Sequence, residues 1–172
     1  PELAHGEDRH LLGLAPGALR PARAGLDFPL RVPQPYIERM RPGDPHDPLL
    51  RQVWAHGDED LEAPGFVADP VADQDARAGP GVLHKYHGRA LVVATGACAV
   101  HCRYCFRRHF PYAESQARPG AWQETLAALD ADPHLEEVIL SGGDPLVLGD
   151  RRLGAMLADL AALGRVRRLR IH

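Results

Sequence analysis

The stretch Ala90-Leu-Val-Val-Ala-Thr-Gly-Ala-Cys-Ala-Val-His-Cys-Arg-Tyr-Cys105 joins an apolar segment directly to three cysteines. Its apolar beginning predicts a short buried strand, and Glu137-Val-Ile-Leu140 predicts a second one. Residues 120–131 and 152–163 carry apolar side chains at helical spacing, and residues 166–171 begin to alternate as a strand does. The predicted order is strand, helix, strand, helix, strand.

Strands that alternate with helices of this length predict an α/β fold with a parallel sheet and right-handed crossovers. Three such units form either part of an open doubly wound sheet or part of a barrel. In both architectures the ligand site lies on the loops that follow the carboxyl ends of the strands. The segments after Thr95 and after Leu140 are therefore where function is expected.

The first 82 residues differ in kind from the rest. Residues 33–41 and 48–56 predict short helices, because each has a proline near its start, where the missing N–H costs nothing. Residues 63–81 are rich in proline, glycine and aspartate and predict a long connector without regular structure. We therefore expect a helical and loop-rich extension at 1–82 and an α/β domain at 83–172.

Charge and apolar patterning argue against two classes of partner. The 172 residues include 20 basic and 23 acidic side chains, a net charge of −3, which gives no support to a nucleic-acid binder. The longest apolar run, residues 90–94, is far shorter than the ~20 residues that span a membrane. We therefore expect a cytoplasmic globular protein that binds neither nucleic acid nor membrane.

The three cysteines form a C-x₃-C-x₂-C cluster at Cys98, Cys102 and Cys105. An odd number in so short a loop suits the ligands of one metal centre in a reducing compartment better than a disulfide framework. Three thiolates can hold three irons of a [4Fe–4S] cube and leave the fourth iron open to a substrate or cofactor. The alternatives are a Cys₃His zinc site closed by His101 or His109, and a redox pair of Cys102 with Cys105.

A second loop, Ser141-Gly-Gly-Asp-Pro145, follows the second predicted strand. Two glycines at the carboxyl end of a strand let the backbone approach a ligand closely and present its N–H and C=O groups. A Gly-Gly turn by itself is weak support for a binding site, because most such turns are only turns. Its position one strand–helix unit after the cysteine loop strengthens the interpretation.

Both loops resemble motifs of the radical S-adenosylmethionine superfamily. The cysteine spacing, with Tyr104 just before the last cysteine, resembles its cluster-binding signature. The turn formed by Ser141, Gly142, Gly143 and Asp144 resembles its motif for the amino group of S-adenosylmethionine. The resemblance implies a [4Fe–4S] cluster with S-adenosylmethionine at its open iron.

A longer stretch resembles one family within that superfamily, the lysine 2,3-aminomutases. The similarity is densest in Leu83-His-Lys-Tyr-His-Gly-Arg-Ala-Leu-Val-Val-Ala-Thr-Gly-Ala-Cys98 and Cys102-Arg-Tyr-Cys-Phe-Arg-Arg-His-Phe-Pro-Tyr112. Residues 31–40 and 47–53 also resemble this family, in the branch that supplies β-lysine for the modification of elongation factor P.

The resemblance implies pyridoxal phosphate as a further cofactor, with Lys85, Tyr86 and Arg89 in the positions that hold its phosphate. By residue type alone Lys85, the only lysine, could instead be the Schiff-base lysine or a solvated surface charge. The family places the Schiff-base lysine beyond residue 172, so none is expected in this chain. Arg107 matches the position that pairs with the substrate carboxylate, and a plain surface arginine is the alternative.

The family's activity implies an isomerase that moves an amino group within L-lysine to give (R)-β-lysine. The implied partners are L-lysine, an electron donor that the sequence does not identify, elongation factor P and its lysyl ligase. The implied fold is a partial (β/α)₆ barrel of the TIM type, with the first three β/α units at 83–172. We expect the chain to be the N-terminal half of such a barrel and to be inactive alone.

Two other functions stay open on the residues. One is a radical S-adenosylmethionine enzyme that uses no pyridoxal phosphate and acts on another substrate. The other is a zinc-stabilised binding domain without catalytic turnover, built on the same cysteine loop.

Overall fold

A computed structural model of the chain describes residues 12–15, 18, 30–67, 69–105, 117 and 119–172. The described residues fall into two compact units. The first lies within Pro1–Val67 and Ala99–Arg108, and the second within Ala68–Cys98 and His109–His172.

The first unit consists of short helical elements around an apolar core. Its elements are α1 (Gln34–Ile37), α2 (Leu50–Val53) and a 3₁₀ helix at Gly57–Asp60. Pro33 and Pro35 flank the start of α1, where a missing N–H is tolerated, as the sequence predicts. The core residues are Leu12, Leu14, Leu30, Val32, Ile37, Met40, Leu50, Val53 and Trp54.

The second unit contains a five-stranded mixed sheet in its described residues. The strands are β1 (Arg77–Gly79), β2 (Val82–Tyr86), β3 (Arg89–Thr95), β4 (Glu137–Gly142) and β5 (Arg168–Ile171), in that spatial order. Helix α3 (Trp122–Asp130) connects β3 to β4, and α4 (Asp150–Ala162) connects β4 to β5. The pairs β3–β4 and β4–β5 are parallel, whereas β1–β2 and β2–β3 are antiparallel.

The two faces of the sheet have different roles. On the face covered by α3 and α4, called the helix face, alternate strand residues pack against Leu129, Met156 and Leu160. The strand residues of this face are Val82, Ala90, Val92, Ala94, Val138 and Leu140. The remaining alternate residues, among them Leu83 and Val93, lie on the other side, called the opposite face.

The predicted order of strand, helix, strand, helix, strand is confirmed by β3, α3, β4, α4 and β5, as is the parallel pairing. The prediction that residues 63–81 lack regular structure is wrong at their end, where β1 pairs with β2 in a hairpin. The hairpin turn needs Gly81, because its φ is +70° and a Cβ there would lie 2.6 Å from the Ala117 nitrogen. The mixed α/β class is as expected.

Among the described residues, no helix has both the length and the apolar character needed to cross a membrane.

Candidate functional site

Cys98, Cys102 and Cys105 form no disulfide in the described part of the chain, and each residue is partly exposed. The N–H of Cys105 donates to the carbonyl of Cys102 over 3.2 Å, which closes the end of the loop into a turn. Three free thiols at this spacing are the donor set that an iron–sulfur cluster takes. The spacing of these three residues favours the ligands of one metal centre over a disulfide framework.

The middle of the cysteine loop is fixed by backbone hydrogen bonds within the first unit. The N–H of His101 donates to the Arg31 carbonyl over 2.9 Å, and the N–H of Arg103 donates to the Gln52 carbonyl over 2.8 Å. The Arg103 side chain also pairs with Glu59, with Nε 3.6 Å from Oε1. The main chain around Cys102 is thus anchored on both sides.

Groups of the cysteine loop affect the pKa of Tyr36. Burial and then the nearby groups of Cys102, Tyr104 and Asp47 raise the pKa of Tyr36 above its ordinary value. The Tyr36 hydroxyl donates to the Leu49 carbonyl over 3.2 Å. Burial and these neighbouring groups thus favour the neutral form of the Tyr36 phenol.

The three thiols are distributed over the two units, with Cys98 in the second and Cys102 and Cys105 in the first. Across the described part of the chain, no three His, Cys, Asp or Glu side chains are already gathered as a metal site. The fit to a [4Fe–4S] cluster accordingly rests on the chemistry and spacing of the thiols. His109, offered as a zinc ligand, lies outside the described residues.

The Gly-Gly turn packs against the end of β3. The N–H of Gly143 donates to the Thr95 carbonyl over 2.6 Å, and the N–H of Asp144 donates to the Ala97 carbonyl over 2.8 Å. A Cβ on Gly142 would lie 2.6 Å from the Thr95 oxygen, and one on Gly143 would lie 2.0 Å from the Ala97 oxygen. Both glycines are thus required because the turn lies directly against the backbone that leads into Cys98.

The same turn offers acceptors at its partly exposed residues Ser141 and Asp144. One oxygen of the Asp144 carboxylate accepts from the Leu146 N–H over 2.9 Å and caps the 3₁₀ helix Pro145–Val147. A carboxylate has two oxygens and about four lone-pair positions, so Asp144 can also accept from an ammonium group. A ligand ammonium group, which only donates, suits these residues.

Tyr104 and Arg107 complete the predicted residues near the cysteines. The Tyr104 residue is 66% exposed, so its ring is available to a ligand. Arg107, predicted to bind a substrate carboxylate, lies outside the described residues.

The three residues predicted to hold a phosphate lie where β2 turns into β3. Tyr86 and Arg89 are paired across the antiparallel ladder, and Tyr86 is 65% exposed. The Lys85 ammonium pairs with the Asp73 carboxylate and donates to the Val71 carbonyl. Lys85 is therefore paired within the protein although its residue is exposed.

Lys85, Tyr86 and Arg89 lie at the start of β3, whereas the cysteine loop follows its end. Arg89 begins the seven-residue strand and Thr95 ends it, which separates them by about 20 Å at a rise of about 3.3 Å per residue. The Gly-Gly turn lies at the Thr95 end, because β4 runs parallel to β3. The second unit thus has two candidate binding regions, one at each end of its parallel strands.

Sequence analysis missed Glu137, which joins the group at the Arg89 end. Its side chain is only 1% exposed, and Arg89, Arg168 and Arg170 each direct Nε toward it. Burial would raise the pKa of Glu137, but the Arg89 hydrogen bond and the charges of Arg170, Arg89 and Arg168 outweigh it and lower that pKa. An acidic residue opening an apolar strand was the available signal.

Comparison with known proteins places this chain among iron–sulfur proteins. The family model described as "4Fe-4S single cluster domain" matches residues 78–167. The chain is 54% identical over 145 residues to the L-lysine 2,3-aminomutase of Escherichia coli (strain K12), over 84% of this chain and 42% of that protein.

Two further relatives carry the same name. The L-lysine 2,3-aminomutase of Haemophilus influenzae is 48% identical over 84% of this chain and 43% of that protein. The L-lysine 2,3-aminomutase of Clostridium subterminale is 30% identical over 79% of this chain and 33% of that protein. The chain therefore spans less than half the length of these relatives.

Proposed function

Since the chain belongs to the 4Fe-4S single cluster domain family and is a homologue of the L-lysine 2,3-aminomutases, we propose that it serves a radical S-adenosylmethionine enzyme that converts L-lysine to (R)-β-lysine. The complete reaction is assigned to a protein of the relatives' full length. This chain supplies the cluster ligands, the S-adenosylmethionine turn and part of the pyridoxal phosphate site.

The observation that carries this proposal is the contact between the Gly-Gly turn and the residue that precedes the first cysteine. The turn at Asp144 is hydrogen-bonded to Ala97, the residue immediately before the first cysteine. A ligand that meets both an open iron at the cysteines and acceptors on this turn must present an amine close to an iron ligand. The amino-acid end of S-adenosylmethionine has that chemistry.

In this proposal Cys98, Cys102 and Cys105 hold three irons of the cluster through their thiolates. Ser141 and Asp144 accept hydrogen bonds from the amino group of S-adenosylmethionine, and Tyr104 contributes an exposed ring beside the last cysteine. Gly142 and Gly143 allow the turn to lie against β3, as described above. These roles require no movement of the β3–β4 pairing.

At the other end of β3, Lys85, Tyr86 and Arg89 are proposed to hold the phosphate of pyridoxal phosphate. The fit is chemical, because Arg89 belongs to a group in which three guanidinium groups surround a single carboxylate, leaving excess positive charge. Arg107 is proposed to bind the lysine carboxylate. When bound, these cofactors supply a 5′-deoxyadenosyl radical and an aldehyde that links to the substrate amine.

The remaining parts of the proposal follow from the family. We propose that the sheet of the second unit belongs to a partial (β/α)₆ barrel, and that the product is attached to elongation factor P by its lysyl ligase. An electron donor reduces the cluster, and the protein works in the cytoplasm. None of these steps assigns a further role to a residue of this chain.

The experiment that tests the proposal measures turnover in the full-length protein that carries this chain. Anaerobic protein is supplied with L-lysine, S-adenosylmethionine, pyridoxal phosphate and a chemical reductant, and β-lysine is measured by chromatography. We expect β-lysine from the wild type and none from Cys102→Ala. Cleavage of S-adenosylmethionine without conversion of lysine would instead favour an enzyme that uses another substrate.

A further inference from the structure

The most unusual feature outside the cysteine region is the buried carboxylate of Glu137. It is 1% exposed, whereas the arginine side chains around it, Arg89, Arg168 and Arg170, are 44%, 58% and 51% exposed. A buried charge is tolerated only when it is paired: Arg89 donates a hydrogen bond to one Glu137 oxygen, and Arg170 and Arg168 form ion pairs with the other. The group therefore consists of a buried negative charge on Glu137 and three partly exposed positive charges on the arginines around it.

Strand register explains why these side chains meet. Arg89 of β3, Glu137 of β4 and Arg168 of β5 are direct neighbours across the parallel ladders. Neighbouring strands lie about 4.8 Å apart, so the two arginines stand on either side of Glu137 with backbones about 10 Å from each other. All three side chains consequently extend from the opposite face of the sheet, away from α3 and α4.

The ion pairs with Glu137 are formed through the Nε of each guanidinium. Arg89 Nε and Arg170 Nε each lie 2.5 Å from a Glu137 oxygen, and Arg168 Nε lies 3.9 Å away. A guanidinium has five N–H donors, so the contact through Nε leaves the terminal nitrogens for another acceptor. Paired terminal N–H groups match the oxygens of a phosphate.

A polar cleft of about 440 Å³ lies beside this group at the amino ends of the parallel strands. Its wall includes Arg89, Glu137 and Arg168, together with Arg165 and Arg167. The Arg165 side chain is directed to Asp130 and to the carbonyls of residues 130 and 132. Arg89 and Arg168 are therefore the cleft arginines that Glu137 holds.

We propose that this cleft binds a phosphate monoester, that Arg168 is a phosphate ligand together with Arg89, and that Glu137 is the positioning residue, which accepts a hydrogen bond from Arg89 and forms an ion pair with Arg168. Assignment of that phosphate to pyridoxal phosphate rests on the proposed function above. Arg170, the third residue of β5, lies on the same face and forms an ion pair with the Glu137 carboxylate. A free phosphate offers the same chemistry without the pyridine ring.

The first test measures binding to the full-length protein that carries this chain, without turnover. Pyridoxal phosphate and pyridoxal are titrated by absorbance, and inorganic phosphate is titrated as a competitor. We expect Arg168→Gln to weaken pyridoxal phosphate binding about tenfold or more and to leave pyridoxal binding unchanged, because a charged hydrogen bond to phosphate is lost. Arg151→Gln, which removes the same charge from an exposed position of α4, should change neither.

Glu137→Gln tests the positioning role, because that role and a simple charge effect predict opposite changes in phosphate affinity. Removal of a negative charge would tighten phosphate binding if only net charge mattered. We expect weaker binding instead, by about tenfold, because the arginines lose the group that orients them. Tighter or unchanged phosphate binding in this variant, with the protein still folded by circular dichroism, would overturn the positioning role.

Comparing inorganic phosphate with pyridoxal phosphate distinguishes a failure of this inference from a failure of the proposed function. Inorganic phosphate binding that depends on Arg168, without any binding of pyridoxal phosphate, would support the cleft and overturn the cofactor assignment. Pyridoxal phosphate binding that is equal in wild type and Arg168→Gln would overturn the cleft and leave the cofactor assignment standing. If Arg168→Gln lowers the affinity for inorganic phosphate and for pyridoxal phosphate, the result supports the cleft and the cofactor assignment together.

Discussion

The N–H of Asp144 donates to the carbonyl of Ala97 over 2.8 Å and joins the Gly-Gly turn to the backbone that leads into Cys98. This contact brings together two short loops that follow neighbouring parallel strands. Its consequence is that a change in the turn is transmitted to the first cysteine through a single residue. The Gly-Gly turn therefore fixes the backbone immediately before Cys98.

Gly143 is the position at which this contact is most easily broken. A Cβ there would lie 2.0 Å from the Ala97 oxygen, so Gly143→Ala must displace backbone. We expect the free energy of unfolding to fall by about 2 kcal/mol or more, by analogy with overpacking of a tight core. Thermal or urea unfolding measures the difference.

Gly154→Ala is the matched control for that substitution. Gly154 lies inside α4, and a Cβ added there meets no atom within 4 Å. Because alanine favours helix more than glycine does, we expect this variant to be more stable by about 0.5–1 kcal/mol. Equal effects of the two substitutions would contradict the account of the turn.

Asp47 stabilises the first unit at the start of α2. Its carboxylate accepts hydrogen bonds from the N–H groups of Arg41, Leu49 and Leu50 at 3.1, 2.9 and 3.0 Å. Asp47→Ala leaves those donors without their acceptor, so we expect the free energy of unfolding to fall by about 1–2 kcal/mol. Denaturant titration at neutral pH measures the loss.

The same residue predicts a pH dependence. Burial would raise the pKa of Asp47, but hydrogen bonds from Leu50, Arg41 and Leu49 and the charge of Arg41 outweigh it, and the pKa is lowered in the folded state. A lowered pKa stabilises the fold above the unfolded value of about 3.9 and ceases to do so as pH falls through the folded value. The stability difference between wild type and Asp47→Ala should therefore shrink below about pH 4. A difference that grows in acid would show the opposite linkage.

Lys85 provides a prediction about the proposed phosphate site. Its ammonium pairs with Asp73, which competes with any phosphate for the same charge. Asp73→Asn should therefore tighten pyridoxal phosphate binding several-fold, on the order of threefold to tenfold, because the lysine is released. Absorbance titration checks the change, with pyridoxal as the ligand that should not respond. Weaker binding would mean that the pair orients Lys85 instead.

The sequence predicts the strands and helices whose apolar pattern is local. Residues of β3 and β4 form continuous apolar runs, and α3 and α4 show helical spacing, so each was identified from its own segment. The hairpin of β1 and β2 was missed because β1 is three residues long, follows a segment rich in turn residues and presents no apolar run. Its pairing becomes evident only in three dimensions.

In the candidate site, too, features that are local in sequence could be predicted and features formed by distant segments could not. The cysteine loop and the Gly-Gly turn were predicted because their residues are adjacent in sequence. Glu137 was missed because its partner Arg89 is 48 positions away, and parallel register alone brings them together. Residues that act through contacts between distant strands cannot be identified from local spacing.

The cysteine loop is proposed to bind an iron–sulfur cluster with one open iron. Electron paramagnetic resonance tests this proposal most directly. The full-length protein is reconstituted anaerobically with iron and sulfide, reduced, and measured with and without S-adenosylmethionine, beside Cys102→Ala. We expect a reduced [4Fe–4S] signal that changes when S-adenosylmethionine is added and that is absent from the variant. Bound zinc without sulfide, or a signal that S-adenosylmethionine leaves unchanged, would contradict the account.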